Sequence, residues 1–397
     1  MKGQQRMTRL VTAIVLAVIV APIGFARSAA AQDRDMRGIW VTRWDYLTEA
    51  DIERAMREID QLGLTDVFWQ VRGQADAYYR SDLEPWGEDL FRGPNEQADR
   101  TDGPGFDPLA VAVREADKHG LKIHAWINAM PLWKGAEPPR DQSHAWWSRP
   151  EWRLHDPSGK PQPLNEHYVI VNPLRDAVRD HIASVARDIT ARYEVDGIHL
   201  DYIRFVTDTM EESAVYPADR ASRRLLEART GSSDLDSPEQ RAALRGLIRD
   251  AITQTVRDVR EAITRERPDA MLTAAVWRRP DLARDLYEQD AAAWVNNGLL
   301  DAAIPMIYTA DNEQFRGDLR AWRRETRNER IIPGIGVYKH DDGASTVEQI
   351  EIAGGDRFVL FAYASLFQSR APGQDHGPEG RRERERRRSP VERALTR

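Results

Sequence analysis

A carboxylate at the end of one buried stretch is the residue best placed to do chemistry in this chain. The stretch Val195–Phe205 has the pattern of a short buried strand with a charged end. Because side chains alternate along a strand, Gly197, His199 and Asp201 share one face, which would point into a closed parallel barrel. A carboxylate there is costly unless it has partners or a function, and at the C-terminal end of a barrel strand the function is usually catalysis. The alternative is that Asp201 only holds a loop by pairing with Arg204 or His199.

The ends of the other predicted strands carry aromatic and polar residues that suit a sugar. Aromatic rings stack on the CH face of a pyranose, and amides, carboxylates and guanidinium groups pair with its hydroxyls. We assign Trp40, Trp69, Trp294 and Trp322 to the core, because they lie within predicted strands or helices. The residues predicted to bind substrate are Trp44, Arg72, Asp76, Trp126, Asn128, His199, Tyr202, Arg204, Trp277, Tyr308 and Tyr338.

The second carboxylate of such a site is less obvious in the sequence. Hydrolysis of a glycosidic bond ordinarily uses two carboxyl groups, one as nucleophile or base and one as acid. Asp201 is the predicted first member, and Asp311, just after the sixth strand, is the predicted second. Asp45, Asp76 and Glu84 are its rivals, since all lie near strand ends or in loops on the same face. A barrel without a second carboxylate would instead bind a glycan without cutting it.

The sequence argues against metal, cofactor and serine chemistry. It contains no cysteine, which excludes thiolate metal sites and disulfides. The histidines do not show ligand spacing on one element, and no G-x-S-x-G nucleophile elbow occurs. A glycine-rich phosphate loop is also missing from the sequence. We therefore predict no metal site and no cofactor.

The elements that must position these residues alternate between apolar strands and amphipathic helices. Eight strands and seven helices follow one another from Met36 to Ala362. This alternation predicts an α/β fold, a (β/α)8 TIM barrel, in which the last helix is missing or atypical. Long loops follow strands 2, 3 and 4, so the C-terminal face is the elaborated one. An open doubly wound sheet is the alternative, but eight repeats favour closure.

Both ends of the chain differ from the body. Residues 1–31 have the charged start, apolar run and small-residue cleavage site of a signal peptide, which predicts a periplasmic or secreted protein without a stable membrane span after cleavage. Residues 32–372 form the predicted barrel and carry 45 basic against 59 acidic side chains, which argues against a nucleic-acid partner. Residues 373–397 are rich in charge, and we predict a disordered tail that is dispensable for folding.

Several motifs, taken in order, carry a resemblance to a known family. They are Arg37-Gly38-Ile39-Trp40-Val41, Phe68-Trp69-Gln70-Val71-Arg72, His124-Ala125-Trp126-Ile127-Asn128, Asp196-Gly197-Ile198-His199-Leu200-Asp201-Tyr202-Ile203-Arg204, Pro305-Met306-Ile307-Tyr308 and Pro333-Gly334-Ile335-Gly336-Val337-Tyr338. Over roughly residues 36–369 the chain resembles the glycosyl-hydrolase-like ten family, or domain of unknown function 187.

The resemblance implies a (β/α)8 barrel that cleaves peptidoglycan glycan strands, especially strands stripped of stem peptides. The family includes an enzyme located at the division site of Gram-negative bacteria, so the cell-division machinery is an expected partner. That enzyme resembles a lipoprotein, whereas this chain lacks the cysteine that a lipid anchor needs. The fourth strand is also similar to the D-G-x-D-x-D-x-E strand of chitinase-like barrels. His199 and Ile203 stand where that pattern has Asp and Glu, which argues against the chitinase mechanism.

Overall fold

The computed structural model describes residues 35–205, 214–326 and 330–396. The predicted signal peptide, residues 1–31, lies outside the described residues. Within the described ranges no helix is both long and apolar enough to cross a membrane.

Eight parallel strands close into a barrel, as predicted. Each strand pairs with its neighbours in the order β1, β2, β3, β6, β7, β8, β9 and β10, and β10 pairs with β1 to complete the ring. Two further strands, β4 and β5, form an antiparallel pair in the loop after β3. The strands are β1 (Met36–Val41), β2 (Asp66–Arg72), β3 (Lys122–Asn128), β4 (Pro131–Lys134), β5 (Tyr168–Ile170), β6 (Gly197–Asp201), β7 (Met271–Val276), β8 (Ala302–Ile307), β9 (Gly334–Gly336) and β10 (Arg357–Phe361).

Helices follow the barrel strands and cover their outer faces. The predicted helices bury the apolar stripes that their sequences show; in the first helix, for example, Ile52, Met56 and Ile59 are fully buried. The helix predicted over residues 280–296 is divided in two at Glu288, whose left-handed φ of 50° ends the first part. The helices are α1 (Glu49–Gln61), α2 (Pro108–Lys118), α3 (Ala145–Ser148), α4 (Asp176–Arg192), α5 (Arg220–Thr230), α6 (Pro238–Glu266), α7 (Pro280–Tyr287), α8 (Ala291–Asn296), α9 (Asn312–Glu325), α10 (Gly343–Ala353) and α11 (Pro378–Leu395).

The interior of the barrel is filled by large rings that pack against glycines. Trp40 lies so close to Gly334 that a Cβ atom added there would stand 2.8 Å from the indole. Phe68 makes the same close approach to Gly38. Because interiors are close-packed, a glycine on one strand makes room for a ring on another. These rings form a floor beneath the C-terminal mouth of the barrel.

The long loops after β2, β3 and β6 lie at the C-terminal ends of the strands, as the sequence predicts. The loop after β3 contains the β4–β5 pair and α3, and the loop after β6 contains α5. Loops after helices are short, as at Gly63 and Gly120, whose φ angles of 80° and 66° favour glycine. The N-terminal face, with its short loops, therefore serves stability, and the C-terminal face, with its long loops, is available for a site.

The charged C-terminal segment is helical, which corrects our prediction of a disordered tail, while its dispensability for folding stays a prediction. Residues 378–395 form helix α11, which occupies the place of the eighth helix of the barrel and is atypical in being rich in arginine. Val391 is fully buried, and the backbone of Arg387 packs directly on Gly343 at the start of α10. Arg387 Nε also donates to the carbonyl of His340 (2.9 Å). Charge density misled the prediction because arginine stems cover apolar surface while their charged ends stay in water.

Candidate active site

A cavity of about 230 Å³ opens at the C-terminal mouth of the barrel. It is lined by side chains from several strand ends and from the β4–β5 pair, which is where barrel enzymes keep their sites. Among the residues predicted from the sequence, the cavity brings together Trp44, Trp126, Asn128, Asp201, Tyr202, Arg204 and Tyr308. Further lining residues that the prediction did not include are Trp40, Thr42, Arg43, Gln70, Lys134, Tyr168, Ala275, Met306 and Phe361.

Asp201 is the one carboxylate of the described residues that lines the cavity. Its Oδ1 accepts from the backbone N–H of Tyr202 (2.6 Å) and from Arg204 Nη1 (3.3 Å). Within the described ranges no group donates a hydrogen bond to its Oδ2, which is therefore available to a ligand. Burial raises the pKa of Asp201 above its ordinary value, while Arg204 and the Tyr202 amide oppose that shift.

The backbone at Tyr202 is held in a conformation that directs its own N–H and the Arg204 side chain toward Asp201. Its φ is 49°, a left-handed value that is uncommon for a residue with a side chain. The turn is secured because Ala129 N donates to the carbonyl of Asp201 (2.7 Å) and Met130 N donates to that of Tyr202 (3.3 Å). The loop after β3 therefore fixes the end of β6, where the register places Asn128 beside Asp201.

Aromatic rings form the walls around Asp201. Tyr308 stacks on Phe361 with ring centroids 5.1 Å apart. Burial, and then the nearby charge of Asp201, raise the pKa of Tyr308 well above its ordinary value, so its hydroxyl stays protonated. Trp126 donates from Nε1 to Asn128 Oδ1 (2.9 Å), which fixes the indole at the cavity wall. Flat rings held in place beside a carboxylate provide a surface on which a sugar can stack.

A second polar cluster, missed by the sequence prediction, lies on the wall formed by the ends of β1 and β2. Asp89 Oδ2 accepts from Arg43 Nε (3.1 Å), from Trp44 Nε1 (2.7 Å) and from the hydroxyl of Tyr78 (3.0 Å). Arg43 also donates from Nη2 to the Tyr168 hydroxyl (3.2 Å). Asp89 thus contacts two cavity-lining residues. No sequence pattern singles it out, since it lies in a single 3-10 turn within the long loop after β2.

Arg72 and Asp76 were predicted to bind substrate, but both are buried outside the cavity lining. Arg72 forms a two-pronged ion pair with Glu84 (2.8–3.0 Å) and donates to the carbonyl of Asn128. Asp76 Oδ1 accepts from the backbone N–H groups of Gly73 (3.1 Å) and Gln74 (2.8 Å), which shapes the turn after β2. Both residues shape the loops that carry the site and have no access to the cavity.

His199 lies below the cavity rather than in it. Its Nε2 accepts from Trp40 Nε1 (3.1 Å), and its Nδ1 bonds the hydroxyl of Thr273 (2.9 Å). It is fully buried, and burial lowers its pKa well below the ordinary value, so the ring is neutral. Strand alternation correctly predicts that His199 points inward, but the side chain is one layer too deep to meet a substrate. Its role is to link β1, β6 and β7 in the floor.

Three more predicted site residues lie outside the cavity lining. Asp311, predicted as the second catalytic carboxylate, is exposed and caps helix α9 by accepting from the N–H groups of Glu313 (2.8 Å) and Gln314 (3.1 Å). Trp277 packs on Tyr287 and lies beside the Arg204 guanidinium, 5.6 Å from ring centroid to Cζ. Tyr338 is exposed at the rim and meets Tyr308 edge-on at 6.0 Å.

The other predicted rivals of Asp311 are held by structural contacts. Asp45 Oδ2 accepts from the N–H (2.7 Å) and hydroxyl (2.9 Å) of Thr42 in the turn after β1, and burial raises its pKa to about 6. Glu84 is saturated by Arg72 and His181. In the part of the chain that the structure describes, no group of three or more His, Asp or Glu side chains could hold a metal ion.

Comparison with known proteins gives the same family as the motifs. The family model described as Glycosyl hydrolase-like 10 matches residues 35–346. Glycosyl hydrolase DigH of Escherichia coli K12 is 25% identical over 378 residues, which covers 85% of this chain and 82% of that protein. Glycosyl hydrolase YngK of Bacillus subtilis is 22% identical over 371 residues, covering 85% of this chain and 67% of that protein.

Solved structures agree on the fold. The glycoside hydrolase domain of PgaB (BpsB) from Bordetella bronchiseptica superposes with a TM-score of 0.61 at 11% identity, covering 89% of this chain and 98% of that domain. The α-L-fucosidase isoenzyme 2 of Paenibacillus thiaminolyticus gives a TM-score of 0.58 at 16% identity, covering 90% of this chain and 49% of that enzyme. At these identities the likeness supports the fold alone. Because the family model matches well over half of the sequence, the chain belongs to the glycosyl hydrolase-like 10 family.

Proposed function

We propose that this protein is a glycoside hydrolase that cuts peptidoglycan glycan strands, with Asp201 as its central carboxylate. The observation that carries the proposal is the state of Asp201, which is buried at the barrel mouth with one oxygen bonded and the other available. A buried carboxylate with spare bonding capacity beside a cavity is costly to keep for structural reasons alone. Family membership supports hydrolase chemistry, and the resemblance noted above supports peptide-stripped strands as substrate.

The chemistry follows from the contacts of Asp201. Arg204 and the Tyr202 amide favour the charged carboxylate, which can attack the anomeric carbon or stabilise positive charge developing on the sugar ring. Donors fixed before the reaction stabilise that charge distribution without reorganising. Tyr308 and Trp126 hold the sugar through their rings, and the Tyr308 hydroxyl can bond one of its oxygens. Asn128, whose amide nitrogen bonds the carbonyl of Gly73 (2.9 Å), keeps the neighbouring strand end in position.

A second carboxylate must protonate the leaving oxygen in the ordinary two-carboxylate mechanism. Asp311 caps a helix outside the cavity, so we propose Asp89 in its place. Its side chain is one-third exposed and bonds the cavity-lining Arg43 and Trp44 through Oδ2 alone. The described residues donate nothing to Oδ1, so this is the oxygen that we assign to the leaving group.

We further propose that the protein works in the periplasm or outside the cell, close to the cell-division machinery. The predicted signal peptide motivates the location and the family resemblance motivates the partner. Mass spectrometry of the exported protein tests the first point, since cleavage after Ala31 leaves Gln32 as the new N-terminus. Detection of an intact Met1 in the exported protein would refute cleavage.

A glycan-binding barrel without hydrolase activity is the second candidate. It is favoured by one observation, namely that Asp201 is the one described carboxylate in the cavity lining. The two candidates differ in their products rather than in their ligand. Incubating the protein with peptide-free peptidoglycan strands and separating the reducing-end products by chromatography distinguishes them. The hydrolase releases shorter strands with time, whereas the binding barrel retains strands of unchanged length.

A further inference from the structure

Among the described residues, the charges that line the cavity do not balance. Arg43, Lys134 and Arg204 line it with one carboxylate, Asp201. The body of the protein is acidic, with 45 basic against 59 acidic side chains in residues 32–372. A positively charged cavity in an acidic protein favours anionic ligands, because a local field of one sign concentrates ligands of the other sign.

The excess charge can be traced to one residue. Arg204 pairs with Asp201 (3.3 Å) and Arg43 pairs with Asp89 (3.1 Å). Lys134 forms no ion pair with any described residue. Its Nζ lies 5.9 Å from the centroid of the Tyr168 ring, across the β4–β5 register that pairs the two residues. An ammonium group that stands at a cavity wall over a ring, with no ion-pair partner in the described ranges, can pair with an anionic ligand.

The surroundings of Lys134 extend this positive wall inward. The Tyr168 hydroxyl accepts from Arg43 Nη2, so Arg43, Tyr168 and Lys134 form one continuous surface. Arg43 is 2% exposed, and its Nη1 has no hydrogen-bond partner among the described residues. Asp89 and Tyr168 therefore do not saturate its guanidinium. The β4–β5 pair, an insertion in the barrel, places the second cation next to the first.

We infer that Arg43, Tyr168 and Lys134 form a subsite for a carboxylate carried by the sugar, and that Lys134 is the residue that selects for it. The inference rests on the proposed function and narrows its substrate to glycans whose sugars bear an ionised carboxyl group. A neutral amino-sugar polymer would still stack on the aromatic walls but would leave Lys134 unpaired. The subsite thus sets which glycan binds, while Asp201 acts on the bond.

The test measures binding, so that it does not depend on cleavage. The full chain carrying Asp201→Asn is titrated with short peptide-free peptidoglycan strands and with the same strands after their carboxyl groups are converted to neutral amides. We expect the free-carboxyl strands to bind about fivefold more tightly, the size of an exposed ion pair near 1 kcal/mol. Lys134→Met should remove this preference, and Lys134→Arg should retain it. The preference should also weaken as salt is raised.

Lys160→Met is the matched control, because Lys160 is exposed on the same loop after β3 and does not line the cavity. It should bind both ligands as the parent does. Unchanged binding of free-carboxyl strands by Lys134→Met, or equal binding of both strands by the parent, would overturn the inference. If neither strand bound the parent, both the inference and the proposed function would fail. If wild-type protein released no products while the preference held, only the hydrolase proposal would fail.

Discussion

Asp201 and Glu84, two carboxylates on the same face of the barrel, show that burial alone does not identify a catalytic group. Asp201 and Glu84 are both 7% exposed. Glu84 receives two donors of Arg72 and one of His181 at 2.8–3.0 Å. Asp201 receives one amide and one long contact to Arg204, and one of its oxygens is left for a ligand. Equal burial with unequal pairing therefore separates a structural carboxylate from a candidate catalytic one.

The better-paired carboxyl, Glu84, has the lower pKa, and the less-paired one, Asp201, has the higher pKa. Burial alone would raise the pKa of Glu84, but Arg72 and His181 outweigh it and hold the pKa at about 2. At Asp201 burial prevails over Arg204, so the pKa is raised. A fully paired carboxylate is strongly stabilised in its ionised form. A partly paired, buried carboxyl group has a raised pKa, which is typical of groups that take part in catalysis.

Removing the charge of Glu84 should cost stability rather than activity. Because Arg72 would be left buried without its partner, Glu84→Gln should lower the free energy of unfolding by about 3 kcal/mol, measured by urea denaturation at pH 7. Below pH 4.5 the wild type should lose this advantage progressively toward pH 2, since its depressed pKa must be crossed for protonation. Glu194→Gln, which removes an exposed carboxylate, is the control and should leave the midpoint near that of wild type.

Removing Arg204 should affect the pH dependence of hydrolysis. Arg204 favours the ionised form of Asp201, so Arg204→Met should raise the pKa of Asp201 further. Activity that needs the carboxylate falls as pH drops through that pKa, and the acid limb of kcat/KM should therefore move to higher pH. At pH 7 we expect a loss of roughly tenfold, the value of one charge-assisted hydrogen bond. An acid limb that stayed in place would show that another group controls it; Arg204→Lys should restore part of the wild-type profile.

The smallest effect is expected at Asp311, the carboxylate that the sequence placed in the site. Asp311→Ala removes the cap of α9 and should lower the free energy of unfolding by about 1 kcal/mol. Asp311→Asn keeps a capping oxygen and should lose little stability. Both variants should cut glycan strands at the wild-type rate. A large loss of turnover in Asp311→Asn, with unchanged stability, would show that Asp311 takes part in catalysis.

The sequence predicted the barrel and its inward faces well, because strand alternation and helix periodicity are local properties. The position of Asp201 at the barrel mouth could be predicted because a carboxylate ends an otherwise apolar strand. Lys134 and Tyr168 were missed because they belong to a pair of short strands in a loop whose folding no local pattern indicates. Asp89 was missed for the same reason. Asp311 was expected in the site because it follows a strand, but that position is also where the next helix needs a cap.

The residues Arg72, Asp76 and His199 show a different limit of sequence reasoning. Each was correctly expected near the strand ends or inside the barrel. The sequence does not show which residue each side chain bonds. That partner decides whether the polar atoms of the side chain are available to a substrate. Arg72 meets Glu84 through a loop, and His199 meets Trp40 across the barrel. Such pairs join residues far apart in the chain, and only the folded structure places them in contact.

The most direct test of the account compares Asp201→Asn with Glu84→Gln on peptide-free peptidoglycan strands, at a temperature where both variants are folded. We expect Asp201→Asn to bind the strands and to unfold like wild type, but to cut them at least about a thousandfold more slowly. Glu84→Gln should be less stable and should still cut. If Asp201→Asn cut the strands at near the wild-type rate, Asp201 would be structural and the assignment of the active site would be wrong.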